Sequence, residues 1–426
     1  MHSGRIRIRL HSIFWWLYKV FIFLLMLVSF HAWMFWKWNA NVYFWIIAFF
    51  ISIVFYAINH KHYYNRRRHY LLRWFLLLQI SLIVSAIGLN INGILTVIIP
   101  SWALFSVIML NDESKRDLFD TIFIFISVAL LVSVSAWILF IVGIRFPYEM
   151  VSYGVDDLYY FMNYRFFLIN TTMGDSLSSF VRFCSIFLEP GYLGCMISLL
   201  LFARKFKMDF WAGILLLVEF LTFSLAGWLI LLICYIVYKG LSSKRFIVTL
   251  IVGLTVFIGI WIVAKNYNGG NNLVYSAFFE RLEFDSDTNT ISGYDRSTAE
   301  TDEWFWKTFI KSPDIIFGAP SAADVLKIND NDWKAYIVSH GLVGFSLFLI
   351  FVFYPFLVTS KKAKERRKML FFLGVSFFLI FAQTIHLIFS IMYLTIFVLG
   401  ESLFVTDYRI GSPAKEPKRI SSSISI

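Results

Sequence analysis

Charge and cysteine are what this 426-residue chain has little of. Only 15% of its residues are charged while 59% are hydrophobic, a balance that excludes an ordinary soluble domain. The three cysteines, Cys184, Cys195 and Cys234, follow neither metal-ligand spacing nor a paired framework, so they read as packing residues of apolar segments. No phosphate-cradling glycine loop, His-Glu-x-x-His or Cys-x-x-Cys occurs, which leaves nucleotide hydrolysis and zinc chemistry without support. The opening RIRIRLHSIFWWLYKVFIFLLMLVSF is basic and then apolar, yet it lacks a small-residue cleavage site. It reads as a retained first span with its N-terminus in the cytoplasm.

What the chain does have is apolar length. Windows of about 18 to 20 apolar residues, enough to cross a bilayer core as helix, recur at 12–32, 41–59, 70–89, 93–110, 118–144, 186–203, 209–238, 246–264, 335–358, 369–387 and 389–405. The window 209–238 is too long for one span and barely enough for two. Read as one, it would place KGLSSKR and KKAKERRK outside and the acidic stretch 265–333 inside, against the charge rule for membrane proteins. A turn at TFSLAG, near Ser224 to Gly227, instead gathers RIRIR, HKHYYNRRRH, NDESKRD, RKFK, KGLSSKR, KKAKERRK and the basic tail on the cytoplasmic side. The net charge of +11 then reflects membrane orientation rather than nucleic-acid binding.

The expectation is an all-α polytopic integral membrane protein of about twelve transmembrane helices with both termini inside. One membrane domain covers 1–405, and the polar tail 406–426 is expected to be disordered. Two outer loops, about 145–187 and 265–333, are long enough to build something. Within the second, WFWKTFI reads as a short amphipathic helix lying at the interface.

Polar groups beside the most apolar sequence are the candidates for chemistry. In RFCSIFLEPGYLG, Pro190 suits the first turn of a span, and Glu189 falls at the positive end of that helix, where a carboxylate is favourable without any further role. Arg182 is not required by that helix start, and its guanidinium suits an anionic phosphate. In the second outer loop, Arg281 and Arg296 stand among many acids, and read alone either is more simply an exposed ion pair. Arg182 precedes Gly194, and Arg281 precedes Gly293, by the same eleven intervening residues. In WKAYIVSHGLVGFSLFLIF, Gly341 and Gly344 make a thin helix face that a neighbouring backbone can approach. A lone histidine such as His340 is more often a packing residue than an acid or base. Glu219 is an ionisable group at membrane depth and a functional candidate on that ground, while His386 and Gln383, one turn apart, suit pairing with other helices.

Three segments in order, RFCSIFLEPGYLG, LTFSLAG and WKAYIVSHGLVGFSLFLIF, make the chain resemble the Wzy-type O-antigen polymerases of the O-antigen polymerase and ligase superfamily. Pro190, Gly191, Gly194, Ser224, Gly341 and Gly344 are the positions of those segments that the resemblance marks as substrate-binding or structural. It implies a glycosyltransferase of the C-type fold in the bacterial inner membrane, working on the periplasmic face. Such an enzyme moves a growing glycan from undecaprenyl pyrophosphate onto a lipid-linked repeat unit. The donor energy lies in the sugar-pyrophosphate bond, so neither cofactor nor metal is implied. The family's loop arginines engage the pyrophosphate, which maps onto Arg182 and onto Arg296 or Arg281. Glu189, or His340, would orient or deprotonate the acceptor. A chain-length regulator is the expected protein partner. The histidine followed by asparagine that ligases carry is replaced here by Asp330-Asn331, which favours polymerase over ligase. A lipid-linked oligosaccharide flippase is the alternative from another class, although the charges gather in outer loops and the halves look unlike.

Overall fold

The computed structural model describes residues 2–38, 69–85, 106–153, 159–171, 182–239, 244–272, 299–319 and 333–359, with shorter pieces around 43–54, 274–285, 290–291, 374 and 398–400. It is mostly helical. The expected spans at 41–59, 93–110, 369–387 and 389–405, and the tail 406–426, lie wholly or largely outside the described residues. Among the described residues two helices are long and apolar enough to cross a membrane, in the stretches Ser12–Ser29 and Asp112–Ile141.

Among the described residues the helices are α1 (His2–Ser29), α2 (Trp33–Lys37), α3 (His69–Ser85), α4 (Asp112–Ile141), α5 (Pro190–Ala203), α6 (Phe210–Leu221), α7 (Leu225–Lys239), α8 (Lys244–Asn266), α9 (Ala299–Lys307) and α10 (Trp333–Thr359). Helix α4 begins where local chemistry says it should. Asn111 accepts the Ser114 N–H at 2.8 Å, and Asp112 and Glu113 occupy the positive first turn. Helix α1 runs parallel to α4: Trp15 and Lys19 meet Asp117, with Lys19 Nζ 3.1 Å from the carboxylate, and farther along Phe23 packs on Phe125 at 5.3 Å.

Helix α5 is the centre of the core. Every residue from Tyr192 to Ala203 is buried, as expected of a helix that is apolar all round. It runs antiparallel to α4, since the Arg204 guanidinium at its end lies 4.1 Å above the Phe123 ring while Phe183, before its start, packs on Trp137 at 5.6 Å. The chain then reverses twice. Asp209 caps α6 by accepting the Ala212 N–H at 2.9 Å and pairs with Arg204 at 2.9 Å. The far end of α6 returns to Phe183, whose N–H donates to Leu221 O. Helix α7 is parallel to α5, because Gly227 meets Gly194 near both starts while Phe206 packs on Tyr235 and Tyr238 near both ends.

The window 209–238 is therefore two helices reversing at 222–224, the turn that charge parity places at TFSLAG. NDESKRD and RKFK lie together at one end of the bundle, and the 222–224 turn lies at the other. Helices α5 to α7 are only roughly 18 to 23 Å long at 1.5 Å per residue, so they fall short of a bilayer core of about 30 Å.

An all-α description has to be amended in the first large loop. Strands β1 (Glu149–Tyr153), β2 (Tyr159–Asn163) and β3 (Leu168–Asn170) form an antiparallel meander, with Val151 opposite Phe161 and Phe161 opposite Asn170. Val151, Phe161 and Leu168 bury their side chains against Trp33, Trp36, Cys184 and Leu188. Trp33 Nε1 donates to Arg165 O at 3.0 Å, and Lys37 pairs with Glu149, so α2 is the platform on which the sheet sits. In the second loop, β4 (Phe284–Asp285) and β5 (Thr290–Ile291) form a short antiparallel pair, and of the expected helix WFWKTFI only WFWK is helical, at the end of α9, with Phe309–Lys311 a separate 3-10 turn. All three cysteines are free and buried, consistent with packing.

Candidate functional site

The segment 182–194 and the turn 222–227 form one structure. Pro190 is the first residue of α5, and Glu189 holds the extended N-cap conformation without a side-chain bond to the first turn. The turn closes through its own hydroxyls. Thr222 Oγ1 donates to Glu219 O at 2.7 Å and accepts the Ser224 N–H at 3.1 Å, and Ser224 Oγ accepts the Gly227 N–H at 3.2 Å. Ser224 thereby starts α7 as a capping residue. Phe223 takes φ +47°, an uncommon conformation for a bulky residue, and its carbonyl is turned toward Arg182.

Arg182 grips that turn. Its Nε donates to Thr222 O at 3.3 Å and its Nη2 to Phe223 O at 3.1 Å. These carbonyls lie at the C-terminal end of α6, where the helix dipole favours a cation. Arg182 is not needed at the start of α5, but the structure gives it a capping duty on a different helix 40 residues away in sequence.

Behind the turn, three helices meet at glycine. A Cβ at Gly194 would stand 3.2 Å from Glu219 Oε1 and 3.3 Å from Gly227 Cα, and one at Gly227 would stand 2.9 Å from Gly194 Cα. Gly191 is looser, with Ser224 Oγ 3.9 Å from its would-be Cβ. The space these glycines leave holds the Glu219 side chain, which is fully buried, with no hydrogen-bond partner at either carboxyl oxygen among the described residues. The Ser198 hydroxyl in the same junction donates to Gly227 O at 2.9 Å. Sequence reasoning named Glu219 only as a charge at membrane depth, and it missed Ser198 and Thr222. Ser198 lies one helical turn beyond Gly194 on the same face, a spacing from which it could have been found.

No family model, curated protein or solved structure matches the chain. The chemistry of the site therefore rests on its own geometry. Of the expected site residues, Arg182, Glu189, Pro190, Gly191, Gly194 and Ser224 share this junction, while Arg281 and Arg296 lie outside the described residues.

His340, Gly341 and Gly344 belong to a second junction. The His340 ring packs on Tyr336 with centroids 4.6 Å apart, and Tyr336 Oη donates to Gly344 O at 3.4 Å. A backbone approaches Gly341 from an irregular segment, but Gly341 is a break in the helix and not part of a continuous glycine face. Gly341 (φ +67°, ψ 178°) interrupts α10, and a Cβ there would stand 2.6 Å from Gly318 N. The single span expected at 335–358 is thus a broken helix.

Among the described residues no set of three His, Cys, Asp or Glu side chains converges as a metal site. An open apolar cleft of about 440 Å³ lies beside the end of α8, lined by Ile260, Val263, Tyr267 and Asn272 among others. Near the Arg182 turn, Cys184 is enclosed and its Sγ donates to Leu168 O at 3.1 Å. Burial pushes its thiol up to about 12, only partly opposed by Arg182, so it is no nucleophile at neutral pH.

Proposed function

We propose that this chain is a polysaccharide polymerase of the bacterial inner membrane, with about twelve spans and both termini in the cytoplasm. It transfers a growing glycan from undecaprenyl pyrophosphate onto a lipid-linked repeat unit at the periplasmic face. The observation that carries this reading is the docking of RFCSIFLEPGYLG on LTFSLAG. Two segments that the family resemblance singles out, about 40 residues apart, meet through an arginine and a glycine contact. A guanidinium has five donors in a fixed fork. With Nε and Nη2 on the turn, Arg182 has its charge held in one place, as transition-state stabilisation of a departing diphosphate demands.

In this reading Arg182, with Arg296 or Arg281 of the second loop, holds the pyrophosphate. Glu189 at the mouth of α5 orients or deprotonates the acceptor hydroxyl. The glycosidic bond forms as the bond from sugar to pyrophosphate breaks, and the carrier leaves with the electron pair.

The phenotype of a deletion strain tests the reading. Accumulation of single-repeat glycan is expected. Long carrier-bound glycan would point to a ligase, and substrate held on the cytoplasmic side to a flippase. In the complemented strain, Arg182→Ala should leave the protein inserted but shorten the glycan, and Arg182→Lys should rescue only partly because the planar fork is lost. Normal long-chain glycan with Arg182→Ala would remove Arg182 from the mechanism.

A further inference from the structure

We propose that residues 314–319 of the second outer loop are not held clear of the membrane but enter it as a re-entrant segment, with Ile316 and Phe317 covered by lipid acyl chains. The inference rests on reading the apolar stretch Tyr336–Ile350 as membrane-embedded, and it starts from the break at Gly341. A φ of +67° with ψ 178° is a backbone state essentially confined to glycine, and it frees helix N–H and C=O groups on either side. Irregular backbone survives at membrane depth only where protein satisfies it.

The loop supplies that satisfaction. The Ala319 N–H donates to Val338 O at 2.6 Å, the Val343 N–H donates to Ile316 O at 3.1 Å, and the Gly318 N–H closes its own turn on Asp314 O at 2.6 Å. The approach is backbone on backbone, since a Cβ at Gly318 would stand 2.5 Å from Ser339 O. Phe305 and Phe309 anchor the preceding residues by burying against Ile337 and Val338.

These bonds fix the depth of the segment. Ile316 is tied to Val343, so Ile316 and Phe317 stand level with Leu342, inside the apolar stretch Tyr336–Ile350 and beyond its first residues. All three side chains are exposed, Phe317 at 58%, Ile316 at 48% and Leu342 at 44%. Each presents apolar surface at the same level of the helix, and the proposal gives Ile316 and Phe317 the covering that Leu342 has. If the helix is in the bilayer, the occupant is lipid. The exposed Asp314 begins the segment at the headgroup layer, and the exposed Lys311 leads into it from the same layer.

Site-directed fluorescence on the full chain tests this. The native cysteines are all buried, so one cysteine introduced at a time at Phe317, Ile316, Ile350 or Glu303 takes a thiol-reactive nitrobenzoxadiazole label in the folded protein. The protein is reconstituted in vesicles of phosphatidylethanolamine and phosphatidylglycerol. Acyl-chain nitroxide lipids should quench the Phe317→Cys label as strongly as the Ile350→Cys label and several-fold more than the exposed Glu303→Cys label, with Ile316→Cys repeating the result. A Phe317→Cys label reached only by an aqueous quencher, beside a lipid-quenched Ile350→Cys label, overturns the inference alone. If both labels are reached only from water, the membrane reading of this helix falls with it.

Discussion

Replacing Gly227 by alanine tests the three-helix junction most directly. Alanine gains about 1 kcal/mol of helix propensity over glycine, so a position with room for a methyl group should become more stable. At Gly227 there is no room. The added Cβ would lie 2.5 Å from Glu219 Oε1, 2.9 Å from Gly194 Cα and 3.0 Å from Gly194 C. The carboxyl is the end of a flexible side chain and can turn away, but the Gly194 backbone can yield only if α5 and α7 separate. Overpacking of a tight interior costs about 1 to 3 kcal/mol, and here it should fall at the upper end. After the propensity gain, Gly227→Ala is expected to lose roughly 2 kcal/mol, about a 30-fold shift in the folding equilibrium.

The neighbouring glycines grade the effect. Contacts of 3.2 to 3.3 Å at Gly194 should roughly cancel the gain, and the single ordinary contact of 3.9 Å at Gly191 should leave Gly191→Ala neutral or slightly stabilised. Reversible unfolding in detergent mixtures, followed by helical circular dichroism, reads the order directly. Adding Glu219→Ala to Gly227→Ala should recover only part of the loss, because the clash with the Gly194 backbone remains. A Gly227→Ala protein as stable as Gly191→Ala would refute the close approach of α5 and α7.

At the second junction, Gly341→Ala should destabilise by about 1 kcal/mol or more, since it meets both a positive φ and the Gly318 backbone; the same unfolding assay would show a gain in stability if α10 were continuous there. In the turn between α5 and α6, hydrogen bonds from the Arg204 guanidinium and the Ala212 N–H hold the Asp209 carboxyl below its ordinary value of 3.8. Its folded pKa is depressed, so its stabilisation is full above the unfolded value and is lost as pH falls through the folded one. Asp209→Asn, which keeps a capping oxygen, should remove that part of the acid dependence below about pH 4, and an unchanged acid limb of the stability curve counts against the pair. Maleimide should label none of Cys184, Cys195 and Cys234 in the folded protein and all three after unfolding. Rapid native labelling of Cys184 would contradict its enclosure.

Much of the arrangement around the candidate site was legible in the chain. Pro190 marked the start of α5, and TFSLAG marked a reversal because only a turn there kept KGLSSKR and KKAKERRK on the side of RKFK and the acidic stretch 265–333 on the other. The α2 platform and its sheet were not legible. In a chain with 48 Phe, the alternation of Val151, Phe161 and Leu168 is hard to see against apolar residues on every side, and strand pairing is a contact between segments. Gly341 looked like a small residue on a continuous helix, since one glycine in an apolar window does not disclose its φ.

The sequence by itself determined where helices are possible and which polar groups interrupt them, because hydropathy, proline and the distribution of charge act locally or over the whole membrane. Only the tertiary structure decided what those groups do. Arg182 acquires its partners at Thr222 and Phe223, Glu219 its enclosure by Gly194 and Gly227, and the break at Gly341 the backbone of residues 316–319. Each of these is a contact between distant segments, and its geometry exists only once the helices have packed.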